Sequence, residues 1–233
     1  MARMMGTMAG DLSTVDAQIA ANHALVDAFT DRYRVVFMDY PRGIAPTEGP
    51  YELDLTPDTA AADYLTIADH ANVDRFVALG YSWSATAGLQ VASRTDRCAG
   101  LAIGGWPSLS APYPALLEQV REQVQAIGVD SEAGKFYGSI LNWYEAINRD
   151  FDEEGAVAAL TGPRLNFFGE HDVGAPESGL PVALAELTRS RRDDLEALGW
   201  VVTEIPDHDH MTLMAEPQLV VSTIRQVLDE HEW

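Results

Sequence analysis

The segment Phe76-Val77-Ala78-Leu79-Gly80-Tyr81-Ser82-Trp83-Ser84-Ala85 constrains the fold more than any other stretch of the chain. An apolar run of β type ends at Gly80, and a helix-forming run from Ala85 to Ser93 begins just past Ser84. A serine thus stands at the apex of a strand-turn-helix, with small residues two positions to either side. A turn this tight strains its central residue and demands small flanks. It also lifts the serine hydroxyl beside a helix N-terminus, whose unpaired N–H groups favour negative charge. The same residues also fit a plainer reading, a β-turn-α connection in which Ser82 or Ser84 caps the helix.

Chemistry at a serine needs a base and an orienting acid. Downstream, Arg164-Leu165-Asn166-Phe167-Phe168 reads as a buried strand running into Gly169-Glu170-His171-Asp172. Later, Val201-Val202-Thr203-Glu204-Ile205 reads as a last strand running into Pro206-Asp207-His208-Asp209-His210-Met211-Thr212. An amphipathic helix, about Pro217 to His231, closes the chain. Serine, acid and histidine each fall just past a strand, at the carboxyl end where parallel α/β sheets carry their sites.

With these pieces in order, the chain resembles the α/β-hydrolase fold family over most of its length. The matching segments are Asp39-Tyr40-Pro41-Arg42-Gly43, Gly80-Tyr81-Ser82-Trp83-Ser84, Gly169-Glu170-His171-Asp172 and Asp209-His210-Met211-Thr212. The second has the context of a nucleophile elbow, with Ser84 in place of the usual last glycine. The resemblance implies Ser82 as nucleophile, Asp172 as acid and His210 as base. His210 would take the serine proton and return it to the leaving group, while Asp172 fixes the imidazole tautomer. His208, two residues away, is an alternative base. Asp207-His208-Asp209-His210 also offers metal-type donors, but no helical i, i+4 histidine pair supports a metal site. His171 reads as a rim residue, and His23, His70 and His231 as surface positions on helices.

The expected architecture is α/β: a mostly parallel sheet of about six strands flanked by helices. Strands are expected at Arg3–Met5, Arg34–Met38, Phe76–Leu79, Leu101–Ile103, Leu165–Phe168 and Val201–Ile205. Helices are expected at about Val15–Phe29, Thr59–His70, Ala85–Ser93, Val182–Leu198 and Pro217–His231. Alternation of the two means βαβ units. The run 110–162, predominantly helical in pattern and rich in bulky side chains, falls where the family inserts a helical cap. The core would then be 1–109 and 163–233. Relative to the family the chain starts short, with the first two strands missing, and Gly6 falls where an oxyanion-loop glycine is expected. Thr7 or Met8 would supply one backbone donor and Trp83 the other. Tyr81, Trp106, Tyr137 and Trp143 are expected, with Gly6, to border the substrate. Loss of a neighbouring strand would leave Arg34–Met38 as an exposed edge, covered by the N-terminal segment or by a homodimer through this edge.

The chain's 233 residues, 47% of them hydrophobic, suit one domain with a substantial core. No stretch reads as membrane-spanning or as a signal peptide, and the single cysteine, Cys98, forms no internal disulfide; a cytoplasmic location is expected. Fifteen basic and 36 acidic residues give a net charge of −21, which disfavours nucleic acid and anionic membranes as partners. The acidic stretch Asp150 to Glu154 reads as a solvated loop or helix start. These expectations converge on a serine hydrolase that cleaves an ester, thioester or lactone of a small or medium apolar molecule, without a cofactor. Acyl transfer, cyclisation or isomerisation in the same pocket, or ligand binding without catalysis, are the alternatives that such a fold also hosts.

Overall fold

Four apolar runs pair into one parallel sheet in sequence order: β1 (Phe76–Tyr81), β2 (Cys98–Gly104), β3 (Arg164–Gly169) and β4 (Val201–Ile205). The computed structural model describes residues 12–37, 54–174 and 183–231. Parallel neighbours cannot be joined by a tight hairpin, so each connection crosses over through helix. One helix, α3 (Trp83–Ala92), links β1 to β2. Three link β2 to β3: α4 (Tyr113–Ile127), α5 (Glu132–Asp150) and α6 (Glu153–Ala159). Two short helices, α7 (Leu184–Ser190) and α8 (Arg192–Ala197), lie between β3 and β4. Before the sheet come α1 (Leu12–Asp27) and α2 (Pro57–His70), and after it α9 (His210–Met214) and α10 (Pro217–Leu228).

Alternation along the strands builds two cores, one on each face. Ala78, Leu101, Ile103, Phe168 and Val202 enter the larger core, which also takes α3, the α4–α5 hairpin, α6 and Trp200. Val77, Ala102, Leu165, Phe167 and Ile205 turn the other way, onto Leu213 of α9 and Val220, Val221, Ile224 and Val227 of α10. The hairpin that follows β2 therefore shares one apolar cluster with the sheet, through Leu117, Val120, Ile140, Trp143 and Ile147.

Local chemistry sets the helix starts. Thr56 caps α2 in a reciprocal box with Thr59, with Pro57 at the first helical position. Ser131 caps α5 through the Gly134 N–H, and Asp152 caps α6 through the Gly155 N–H. The acidic stretch is thus a helix start, but not a uniformly solvated one, since Glu153 turns toward the Tyr113 hydroxyl, 3.3 Å away.

Two expectations need correction. Residues 34–37 of the expected strand Arg34–Met38 join no ladder; Val35 leans on the α10 core while Val36 and Phe37 are exposed. A β-branched run has the propensity for a strand, but packing and a pairing partner decide. The edge argument for a homodimer therefore does not carry over to 34–37. The single helix expected over Val182–Leu198 is two, divided at Arg191. Arg3–Met5, Gly6, Thr7, Met8 and the Asp39–Gly43 segment lie outside the described residues. Among the described residues, four strands form the sheet, and no helix is long and apolar enough to cross a membrane.

Candidate active site

The four strands end at one place, and short backbone hydrogen bonds tie their exits together. The Ser82 N–H donates to the Gly104 carbonyl (2.8 Å), and the Gly105 N–H to that of Phe167 (2.9 Å). The Glu170 N–H donates to the Ile205 carbonyl (2.8 Å), and the His171 N–H to that of His208 (2.9 Å). The turns after β1, β2, β3 and β4 are thereby held as one surface.

Ser82 has φ 56° and ψ −124°, a region that a residue with a Cβ rarely enters. Its side chain makes no capping bond to α3, so its hydroxyl is not used as a helix cap. Ser84 carries the local work instead. Its Oγ accepts from the Tyr81 N–H and donates to the Tyr81 carbonyl, both at 2.8 Å, closing the turn from inside. Gly80 is required on the other side, because a Cβ there would overlap the Ser84 carbonyl. Trp83 is the first residue of α3, so its amide lies in the electropositive first turn of that helix.

Asp172 and His210 meet across the β3 and β4 exits. The His210 Nδ1 lies 3.0 Å from both carboxylate oxygens of Asp172. Asp172 is fully buried and His210 is 4% exposed. Asp172 also accepts the Gly174 N–H at 2.8 Å, so its position is fixed from two sides. Asp209 is occupied elsewhere: it caps α9 by accepting the N–H groups of Met211 and Thr212, and these bonds, the backbone one from Thr212 foremost, hold its carboxyl below the usual range. His208 turns its Nδ1 to the Pro206 carbonyl, 2.7 Å away. Of the two histidines, His210 is the one joined to a buried carboxylate.

Tyr81 lies against His210, with ring centroids 5.0 Å apart, and donates its hydroxyl to the His210 carbonyl at 2.8 Å. The loop after β2 passes close to both. Gly105, at φ +57°, has the Tyr81 Cζ 2.8 Å and the His210 Cε1 2.9 Å from where a Cβ would sit. Only a glycine fits there, for conformation and for space. Trp106 follows, 5% exposed, its carbonyl accepting from the buried Asn166 side chain at 3.1 Å. Trp143 of α5 is fully buried and packs on Trp83 at 5.0 Å between ring centroids. Tyr137 is half-buried on the same helix, edge to face with Phe136. Trp83 and Trp143 thus join the serine turn to the hairpin.

Of the four residues Asp207 to His210, only Asp207 shares a cluster of possible metal donors, with Glu170 and the exposed His171. The Glu170 carboxylate there accepts the Asp207 N–H at 3.2 Å. A cavity of about 370 Å³, lined by Arg75, Thr95, Asp96, Cys98 and Thr161 among others, opens at the other end of the sheet. Six residues of β1 at about 3.3 Å each put it roughly 20 Å from Ser82, so it is not the site of Ser82 chemistry. Sequence reasoning gave Tyr81 a place beside the substrate but did not foresee its bond to His210. A tyrosine next to an apex serine was the available signal, and only the fold shows where its hydroxyl reaches.

The chain matches no protein-family model and no curated protein sequence. Its fold is matched among solved structures. It is similar to a thermophilic esterase from Thermogutta terrifontis (17% identity, 89% of this chain and 84% of that one, TM-score 0.63). It is similar also to epoxide hydrolases of the alpha/beta hydrolases superfamily from hot-environment metagenomes (18%, 91% and 87%, 0.59). A third likeness is to the enol-lactonase from Burkholderia xenovorans LB400 (18%, 90% and 85%, 0.55). Strand order, crossovers and these likenesses agree: the chain has the α/β-hydrolase fold.

Proposed function

We propose that this protein is a serine hydrolase that cleaves an ester, thioester or lactone of a small or medium apolar molecule through an acyl-enzyme. The observation that carries the reading is the buried Asp172–His210 pair, set at the same sheet end as a serine held at φ 56° on a strand-turn-helix. In this reading the Ser82 Oγ attacks the carbonyl carbon as its proton passes to the His210 Nε2. The bond to the leaving oxygen or sulfur then breaks, and His210 returns the proton to that atom. A water attacks the acyl-enzyme, giving its proton to His210, and Ser82 departs as the acid forms and regains the proton. Asp172 holds the Nδ1–H tautomer that leaves Nε2 free to act.

The oxyanion would be held by the Trp83 N–H and by a backbone donor from Thr7 or Met8, next to Gly6. Trp83 and Trp106 would wall the acyl side, with the fully buried Trp143 backing Trp83 rather than touching substrate, and Tyr137 would stand farther out on the hairpin. The esterase and the enol-lactonase among the structural neighbours are named for ester and lactone chemistry, which suits a serine nucleophile.

The test is a fluorophosphonate probe, followed by a panel of p-nitrophenyl esters and acyl thioesters. The wild type should label and turn over, and Ser82→Ala should do neither. Labelling that persists in Ser82→Ala would remove the nucleophile assignment.

A further inference from the structure

The nucleophile and the base sit on separate turns, 128 positions apart in sequence, and something must hold their separation. The base stands on a short element. His210 opens α9, a helix of five residues, and so short a helix has little stability of its own. Its imidazole is gripped by Asp172, and α9 is held by the Asp209 cap and by Leu213 in the core, but none of these contacts joins His210 to the serine turn itself.

From these contacts we infer that Tyr81 is a positioning residue for His210, a tie that sets the base against the nucleophile turn through its hydroxyl. This rests on the proposed roles of Ser82 and His210. The hydroxyl donates to the His210 carbonyl at 2.8 Å and the ring flanks the imidazole at 5.0 Å, so backbone and side chain of the base are both engaged. Phe167 of β3 lies on Tyr81 at 6.1 Å between ring centroids. The other end of the tie is rigid: the Ser84 Oγ binds both the N–H and the carbonyl of Tyr81. Ser82 is the next residue, so a single side chain joins the turn that carries the nucleophile to the backbone that carries the base.

The surroundings are built for this ring. A Cβ on Gly104 would overlap the Phe167 and Tyr81 rings, and one on Gly105 would press on Tyr81 and His210 together. Two consecutive glycines at the β2 exit thus leave the space that the tyrosine occupies. The hydroxyl also remains a donor at any working pH. Burial, with the charges of Asp172 and Asp209 added, pushes its pKa well above the ordinary tyrosine range.

The inference is tested on the purified full chain with Tyr81→Phe, which keeps the ring and removes the tie. Turnover of a p-nitrophenyl ester and the rate of fluorophosphonate labelling should fall together, by up to about 100-fold, as expected when a reacting group is misplaced by a fraction of an ångström or more. KM should stay near wild type, and Tm should fall by only the few degrees that one lost hydrogen bond costs. The low-field proton NMR signal of the His210 Nδ1–H bridging to Asp172 should broaden or shift. Tyr81 replaced by 4-aminophenylalanine, whose N–H still donates, should recover most of the lost rate. A Tyr81→Phe enzyme that labels and turns over like wild type would overturn the inference, as would a loss that 4-aminophenylalanine leaves unrepaired. If wild type itself fails to label, the nucleophile reading fails, and the NMR signal decides alone: an identical resonance in wild type and Tyr81→Phe overturns the tie as well.

Discussion

At the scale of single residues, three oxygen-bearing side chains near the serine turn have separable duties. Ser84 spends its hydroxyl on the Tyr81 backbone, Asp209 spends its carboxylate on the first turn of α9, and Asp172 gives both oxygens to His210. Asp172→Asn should therefore lower kcat by roughly 10,000-fold, because it favours the wrong imidazole tautomer. Asp209→Ala should instead cost about 1 kcal/mol of stability, as a lost helix cap does, with kcat little changed. Chemical denaturation and initial rates on both variants check the pair, and a kcat collapse confined to Asp209→Ala would reverse the assignment. Ser84→Ala should cost about 1–3 kcal/mol, since it strips partners from a Tyr81 N–H and carbonyl inside the turn, and urea melts would read it. The choice between His208 and His210 was not legible in the sequence, since two residues of spacing do not say which ring faces inward. In the fold the His210 ring meets the buried Asp172 while the His208 ring turns to Pro206, and this geometry favours His210 in the proposed role.

At the scale of elements, the four observed strands were legible because each is a short apolar run with turn chemistry at its carboxyl end, and β4 falls on Val201–Ile205 as expected. Less legible was α9, although Asp209 and Thr212 form a reciprocal capping pair that a search for helix starts could have found. The helices of the 110–162 run could be anticipated in kind but not in pairing, because their amphipathic pattern does not say which face meets the sheet. Glu153 is the element-scale surprise. It opens α6, yet burial pushes its carboxyl up from an ordinary 4.5 to about 7, against smaller opposing pulls from the Leu109 backbone, the Tyr113 hydroxyl and Arg191. An acid with a raised pKa in the fold binds more protons folded than unfolded, so its contribution is fully present below 4.5 and is lost as pH rises through about 7. Glu153→Gln should consequently melt higher than wild type above neutral pH, with the gap closing as pH falls through that window. Tm measured across the window checks this, and a gap independent of pH would show that Glu153 is not the titrating group.

At the scale of the whole molecule, a parallel sheet flanked by helices was readable from the alternation of strand and helix runs, whereas the strand order and the division into two cores show only in the fold. The expectation of strand at Arg34–Met38 misjudged 34–37 because pairing is a property of neighbours rather than of the run itself. Net charge is the other whole-molecule quantity, and it bears on which substrates reach Ser82. A chain at −21 surrounds itself with a negative potential that repels anions approaching any part of its surface. That potential shortens with salt: the screening length is about 30 Å at 0.01 M and about 10 Å at 0.1 M. A carboxylate-bearing ester should thus be a poor substrate at low salt and improve as salt is added, whereas a neutral ester of the same acyl chain should respond little. The measurement is kcat/KM for the matched pair over that range of ionic strength. Equal responses would mean that salt acts on the fold rather than on approach, and that the acidic surface serves solubility without selecting substrate. A rise confined to the anionic ester would tie the composition of the chain to a preference for neutral substrates.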